Sequence, residues 1–218
     1  MFVLGLTGSI GMGKSTAAAM LRRLGLPVHD ADGAVHRLLA RGGAAVAPVA
    51  AAFPDSLVDD AIDRQRLGAR VFGDAAALRT LETILHPLVR RATVAFLARH
   101  ARYGTPMVVL EIPLLFETGG ERLCDAVVLV TASPAVQRAR VLSRPGMTAR
   151  KFAGIIAEQM PDAEKRRRAD FVIETGLGKR DTLRRLIEAV AACRARPGRA
   201  WSPALQRRSA NRNRHTHA

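Results

Sequence analysis

The sequence has little of several features that define particular protein classes. Aromatic residues make up only 4% of the 218 residues, and the two cysteines, Cys124 and Cys193, form no CxxC or CxxH pair. No apolar run approaches the roughly 20 residues needed to cross a bilayer, and the short apolar start lacks the basic region of a signal peptide. These absences argue against a disulfide scaffold and a membrane protein, and they predict a cytoplasmic protein with reduced thiols.

Asparagine and acidic residues are also unevenly distributed. The only asparagines are Asn211 and Asn213, which excludes the Asn-Lys-x-Asp segment that reads guanine in GTPases. No acidic residue follows Glu188 and seven arginines follow Cys193, so residues 1–193 carry a net charge of +8 out of a total of +15. Such a surplus suits polyanionic ligands such as nucleotides. It would also suit nucleic acid, but so few aromatics provide no base-stacking platform.

The apolar residues fall into short runs separated by helical sequence. This alternation predicts an α/β fold: an open parallel sheet of about five strands flanked by helices, with a helical insertion. The predicted strands are residues 2–6, 27–29, 107–111, 126–130 and 171–174.

The same pattern predicts the domain organisation. Residues 1–30 and 105–196 form the nucleotide-binding core, with a helical lid at about 138–168. Residues 31–104 form the helical insertion, with breaks at Gly42-Gly43, Phe53-Pro54 and His86-Pro87. Residues 197–218 are rich in Arg, Asn, Ser and His, and they predict a disordered basic tail.

The strongest motif follows the first predicted strand. Residues 8–15, Gly-Ser-Ile-Gly-Met-Gly-Lys-Ser, match the phosphate-binding pattern G-x-x-x-x-G-K-[ST] between a strand and a helix. Glycines let successive N–H groups point at a phosphate, Lys14 reaches the β- and γ-phosphate oxygens, and the Ser15 hydroxyl binds Mg²⁺. The predicted ATP-binding residues are Gly8, Ser9, Ile10, Gly11, Met12, Gly13, Lys14, Ser15 and Thr16. A glycine turn that merely joins strand to helix is the alternative.

Three further segments, in order and spacing, resemble the dephospho-coenzyme A kinase family. They are Leu26-Pro-Val-His-Asp-Ala-Asp32, the stretch from Ile62 to Pro87, and the stretch from Leu110 to Ile173 with Glu117, Gln137, Arg140, Arg144, Gln159 and Lys165. Two departures are Glu111, where the family usually has Asp, and Thr175, where it usually has Asn. The resemblance implies ATP-dependent phosphorylation of the ribose 3′-hydroxyl of dephospho-coenzyme A, giving coenzyme A and ADP. Another small-molecule or nucleotide kinase is the alternative.

The resemblance also implies roles for individual residues. Asp32 would take the proton from the acceptor hydroxyl, although Asp30 or Asp32 could simply cap the following helix. Arg140 and Arg144, four apart on a predicted helix, would clamp the phosphates, unless they form a solvated basic face. Glu111 would hold Mg²⁺ through water or hydrogen-bond the phosphate-binding loop.

The remaining candidates concern the acceptor, dephospho-coenzyme A. Asp30, Arg64, His86 and Pro113 are candidate acceptor-binding residues. Arg64 could instead pair with Asp60 or Glu82, and His86 with Pro87 could simply break a helix.

Overall fold

The computed structural model describes residues 1–201. Within this range, five strands form one sheet in the order β2-β5-β1-β6-β7. The pairings of β1 with β5, of β1 with β6 and of β6 with β7 are parallel. The strands are β1 (Phe2–Thr7), β2 (Val28–Asp30), β5 (Met107–Glu111), β6 (Ala126–Thr131) and β7 (Phe171–Glu174), and a separate hairpin consists of β3 (Leu57–Val58) and β4 (Ala61–Ile62).

The three central strands are buried along their whole length. Their sequences are nearly continuous Val, Leu and Ala runs, as expected where helices cover both faces of a parallel sheet. The open parallel α/β sheet predicted from the sequence is confirmed. Because β1 is the central strand, the loop that follows it leaves the middle of the carboxyl edge, where open α/β sheets bind ligands.

Contacts between residues divide the chain into two compact units. The first contains Met1–His29 and the chain from His100 onward, and the second contains Asp30–Arg99. The core of the first unit joins the sheet to Ala17 and Leu21 of one helix and Leu186 and Val190 of another. The helices of this unit are α1 (Lys14–Arg23), α6 (Pro134–Leu142), α7 (Ala149–Ala157), α8 (Asp162–Arg168) and α9 (Lys179–Arg194).

The second unit has a core of its own around Leu39, Val49, Phe53 and Leu81. Its helices are α2 (Ala31–Leu39), α3 (Val46–Ala52), α4 (Arg64–Val71) and α5 (Ala75–Arg102), of which α5 runs on into the first unit. The β3–β4 hairpin also lies here. The sequence did not predict it, because two-residue strands leave no measurable alternation.

The predicted helix break at His86-Pro87 is wrong, because Pro87 lies inside the continuous helix α5. Proline removes one backbone hydrogen bond and usually kinks or ends a helix. Here Leu85 and Leu88, on either side of Pro87, both pack against the core of the second unit. Packing on both sides of the proline therefore keeps α5 continuous.

The chain after α9 is bound to the first unit as far as it is described. The N–H groups of Arg199 and Ala200 donate to Asp125 Oδ1 at 2.5 and 2.6 Å, and Trp201 is buried. The prediction of a disordered tail is therefore wrong for residues 197–201. The rest of that predicted tail, residues 202–218, lies outside the described residues. No helix within residues 1–201 combines the length and apolarity needed to span a bilayer.

Candidate active site

The phosphate-binding loop connects β1 to α1 and depends on glycine at two positions. Gly11 has φ 77° and Gly13, the N-cap of α1, has φ 87°, a left-handed conformation that other residues adopt at a cost. A Cβ on Gly11 would lie 2.5 Å from the Val141 side chain. The first turn of α1 carries no acidic residue, so the positive end of the helix is available to an anion.

Lys14 is held by a buried carboxylate at the end of the neighbouring strand. Its Nζ lies 3.0 Å from Glu111 Oε1, and Arg22 Nη2 lies 3.3 Å from Glu111 Oε2. Glu111 is only 3% exposed, so both of its oxygens are occupied by cations. Of the two roles predicted for Glu111, the structure shows a direct bond to the phosphate-binding loop.

Arg140 projects from α6 toward the same loop. Its Nη1 donates to Thr175 Oγ1 at 2.8 Å and its Nη2 to the Thr175 carbonyl at 2.9 Å. Nη1 also lies 3.4 Å from the Gly11 carbonyl oxygen. The Thr175 hydroxyl in turn donates to the Met12 carbonyl at 2.9 Å. Arg140 is thus fixed against the loop rather than exposed on a solvated face.

Two glutamines hold the tip of the loop through its main chain. Gln137 Nε2 donates to the Ile10 carbonyl at 2.8 Å, and Gln159 Oε1 accepts from the Ile10 N–H at 3.1 Å. Gln137 lies on α6 and Gln159 follows α7. The loop is therefore contacted from α6 and from the connection after α7, and of the two glutamines only Gln159 lies within the region predicted to form the lid.

A buried lysine holds the start of the loop. Lys165 is fully buried, and its Nζ contacts Ser9 Oγ at 3.3 Å and Glu117 Oε1 at 2.8 Å. The same carboxylate accepts the Met160 N–H at 2.9 Å. Burial opposes ionisation of Glu117, but the Lys165 ammonium and the Met160 N–H outweigh it and hold the pKa of Glu117 below its usual range.

Arg144 does not extend the arginine face of α6. The helix ends at Leu142 with Ser143 as its C-cap, so the prediction that Arg140 and Arg144 share one helical face is wrong. Pro145 disfavours the helical conformation for the residue before it, and Gly146 then adopts φ 72°. Within residues 1–201, the exposed Arg144 side chain has no protein partner.

The two aspartates of Asp30-Ala-Asp32 have different environments within the second unit. Asp30 is the N-cap of α2, and its Oδ1 accepts the Gly33 N–H at 2.9 Å. Asp32 lies in the first turn of α2 and is exposed. Its carboxylate has no hydrogen bond or ion pair among the residues that the structure describes. Asp30 is therefore the capping residue, and Asp32 has a free carboxylate two residues after strand β2.

The acceptor-binding candidates lie on different elements of the chain. Arg64 begins α4 and its Nη1 hydrogen-bonds His36 Nε2, so it pairs with neither of the acids considered from the sequence. His86 is exposed on α5. Pro113 follows β5, and its carbonyl accepts the Thr7 hydroxyl at 3.0 Å, which fixes the loop beyond Glu111.

Sequence reasoning left Thr175, Gln137, Gln159 and Lys165 out of the candidate site. Each is a polar or charged residue that contacts the main chain or a side chain of the loop. The available signal was the resemblance, which included Gln137, Gln159 and Lys165 without giving them a role. The sequence did not reveal that Gln137 and Lys165 are buried in α6 and α8.

Ser15 and Glu111 are the side chains predicted to hold magnesium. The Ser15 hydroxyl is exposed in the first turn of α1 and has no protein hydrogen-bond partner within residues 1–201. The same range contains no cluster of three His, Cys, Asp or Glu side chains arranged to hold a metal. An exposed hydroxyl oxygen of this kind fits Mg²⁺, which keeps several waters and takes one or two protein oxygens beside the phosphates. Glu111, paired with two cations, is not free to be a direct ligand.

A parallel sheet whose central strand leads into a complete phosphate-binding loop, with an arginine packed on that loop, defines a P-loop kinase. The model of the dephospho-CoA kinase family matches residues 2–181. The dephospho-CoA kinase of Paramagnetospirillum magneticum is 65% identical over 76% of this chain and 78% of its own, and that of Mesorhizobium japonicum is 62% identical over 82% and 89%. The chain belongs to the dephospho-CoA kinase family.

Solved structures include proteins with a similar fold. A protein from Thermus thermophilus superimposes with a TM-score of 0.76 at 39% identity over 88% of this chain and 96% of its own. The shikimate kinase of Acinetobacter baumannii, at a TM-score of 0.52 and 19% identity over 88% and 94%, is similar in fold alone.

Proposed function

We propose that this enzyme transfers the γ-phosphoryl group of ATP to the ribose 3′-hydroxyl of dephospho-coenzyme A, giving coenzyme A and ADP. The observation that carries the proposal is the family match over residues 2–181, which includes both the phosphate-binding loop and Asp30-Ala-Asp32. In the reaction, the bond from the γ-phosphorus to the β-γ bridging oxygen breaks. A bond from the γ-phosphorus to the 3′-oxygen forms, and the hydroxyl proton leaves to a base.

We assign the nucleotide to residues 8–16. The loop N–H groups and the positive end of α1 surround the phosphates. Lys14 Nζ moves from Glu111 to the β- and γ-oxygens, because the triphosphate carries more negative charge than one carboxylate. Arg140 and Arg144 bind the same phosphates, and Arg140 adds positive charge where it develops in the transition state.

We assign the proton transfer to Asp32. Asp30 is occupied as a helix cap, whereas the carboxylate of Asp32 is exposed and unpaired within residues 1–201. A base in phosphoryl transfer chiefly orients the hydroxyl, because the transition state is loose. We assign acceptor binding to Asp30, Arg64, His86 and Pro113, of which the Arg64 guanidinium is suited to a phosphate oxygen.

We propose Mg²⁺ as the cofactor, with the Ser15 hydroxyl as its protein ligand and Glu111 acting through water. When bound, the ion neutralises phosphate charge. We also propose that the enzyme works in the cytoplasm, because Cys124 and Cys193 are both free and burial raises the pKa of their thiols to about 12 and about 11. Unpaired, protonated thiols are usual in a reducing compartment.

The test measures transfer of label from ATP to each of several acceptors: dephospho-coenzyme A, shikimate, gluconate and nucleoside monophosphates. We expect label in coenzyme A alone, and faster transfer to any other acceptor would overturn the proposal.

The Asp32→Asn variant should then retain ATP binding and lose transfer by about a hundredfold or more. Asp30→Asn is the matched control: Asn is as good an N-cap as Asp, so this variant should remain folded and lose less activity. A larger loss of kcat in Asp30→Asn than in Asp32→Asn would show that Asp30, not Asp32, is the base.

A further inference from the structure

Thr175 joins the candidate catalytic arginine to the phosphate-binding loop. It lies directly after β7 and is 7% exposed. Its N–H donates to the Thr131 carbonyl at 2.8 Å, which extends the β6–β7 pairing by one residue and fixes its backbone. Its side chain faces the loop: a Cβ on Gly13 would lie 3.0 Å from Thr175 Oγ1 and 3.3 Å from its Cγ2.

The hydrogen bonds around the Thr175 hydroxyl have a defined direction. A hydroxyl has one proton, and a carbonyl oxygen such as that of Met12 can only accept, so Thr175 donates to Met12. Its lone pairs are then free for the Arg140 Nη1–H, at 2.8 Å. Arg140, Thr175 and Met12 thus form a chain in which each partner has the correct donor or acceptor.

The guanidinium of Arg140 is held by two adjacent atoms of one residue. Nη1 bonds the side chain of Thr175 and Nη2 bonds its carbonyl, which fixes both the position and the plane of the guanidinium. Five N–H donors are available on arginine; Thr175 uses two of them and the Gly11 carbonyl a third. The other two have no protein partner within residues 1–201 and can bind phosphate oxygens without breaking the bonds to Thr175.

We propose that Thr175 is a positioning residue for phosphoryl transfer, which sets the orientation of Arg140 relative to the phosphate-binding loop through its side-chain hydroxyl. The inference rests on the proposed function in one respect, that Arg140 acts on the phosphates. It adds that this action depends on a hydroxyl located 35 residues away in the sequence, directly after β7. Catalysis by a positioned charge is sensitive to small displacements.

The test is a double-mutant cycle on the full-length enzyme. Thr175→Val removes the hydroxyl at nearly constant shape, and Thr175→Ser, the matched control, keeps it. Because the carbonyl of Thr175 still holds Nη2, we expect Thr175→Val to lower kcat about tenfold with KM for ATP changed less than threefold. We expect Thr175→Ser to stay within about twofold of the wild type. If Thr175→Val does not fold, Thr175→Ala takes its place in the cycle, because it also removes the hydroxyl.

The second arm repeats the substitution without the arginine. In the Arg140→Ala background, Thr175→Val should lower kcat by less than a further twofold, because residues that act through one another are not additive. A further tenfold loss, or a rise in KM for ATP of the same size in both backgrounds, would show that Thr175 acts on the loop directly and would overturn the inference. Normal kcat in Thr175→Val would also overturn it.

The same cycle separates this inference from the proposed function. Full activity in Arg140→Ala would overturn both the role of Arg140 and the positioning by Thr175. A large loss in Arg140→Ala together with normal activity in Thr175→Val would leave the proposed function intact and overturn only the inference.

Discussion

Lys14, a residue of the phosphate-binding motif, is paired with the buried carboxylate of Glu111. Glu111 is buried and its oxygens are shared between Lys14 and Arg22. A buried carboxylate without a cation would be costly, so the pair keeps Lys14 beside the loop before nucleotide binds. The two cations differ, because Lys14 belongs to the phosphate-binding motif whereas Arg22 lies outside it.

We therefore predict that Lys14→Ala lowers kcat at least about a hundredfold while the protein remains folded, because a charge at the β-γ bridge contributes several kcal/mol. Steady-state kinetics and circular dichroism measure the two effects. Arg22→Ala is the matched control: it removes the other cation of Glu111 and should change kcat less than about threefold. Near-normal turnover in a folded Lys14→Ala enzyme would contradict the phosphate-binding assignment.

The buried ion pair of Lys165 and Glu117 connects loops and helices of the first unit. Lys165 lies on α8, Glu117 on the loop after β5, and their contacts reach Ser9 of the phosphate-binding loop and the N–H of Met160. One ion pair thus connects four places in the chain: α8, the residues before it, the loop after β5 and the phosphate-binding loop. Buried pairs of this kind contribute little net stability, but removing one partner leaves an uncompensated charge.

We predict that Lys165→Met destabilises the protein by about 3 kcal/mol, the lower end of the range for breaking a buried pair because Glu117 is partly exposed. The free energy of unfolding in urea measures this. Adding Glu117→Gln removes the unpaired charge, and the double variant should recover part of the loss. Equal stability of the single and double variants would argue that Glu117 is not charged in the folded protein.

The lowered pKa of Glu117 predicts a pH dependence of stability. Folding favours the ionised form, so its contribution is present in full above the unfolded-state pKa of about 4.3. It is lost as the pH falls from there through the lower folded-state pKa. The stability difference between wild type and Glu117→Gln should therefore stay constant from about pH 6 to about pH 5 and narrow when urea unfolding is measured from there toward about pH 2. A difference constant over that whole range would contradict the assignment.

At the scale of the whole chain, residues 197–201, which follow α9 and are called the anchor below, are bound to the first unit. Asp125 accepts the N–H groups of Val3, Arg199 and Ala200, so one carboxylate joins the start of β1 to residues 199–200. Trp201 is buried beside this junction. The active-site side chains named above all precede it in sequence, so the anchor should affect stability rather than chemistry.

We predict that truncation after Arg196 lowers the free energy of unfolding by about 3 kcal/mol, comparable to the loss of a buried tryptophan. At temperatures where the protein stays folded, kcat should remain within about twofold. Truncation after Trp201 is the matched control and should change Tm by less than about 2 °C. Trp201 is the only tryptophan, so its fluorescence follows unfolding in the longer protein. Equal stability of the two truncated proteins would show that residues 197–201 do not stabilise the first unit.

Local sequence determined the parts of the protein that depend on short-range physics. The continuous apolar runs predicted β5 and β7 at their observed bounds, because burial on both faces requires such runs. The phosphate-binding motif is equally local, since the glycine conformations, Lys14 and the start of α1 lie within a few residues. The cap at Asp30 was foreseen as one of two alternatives for the same reason.

Tertiary structure decided what depends on contacts distant in sequence. Pro87 remained inside α5 because leucines on both sides pack on one core, and Trp201 became buried because Asp125 holds the two residues before it. Arg140 is fixed by Thr175, and Ser9 by Lys165, over separations of 35 and 156 residues. A sequence specifies which residues can donate, accept or carry charge, whereas only the folded chain determines which of them meet.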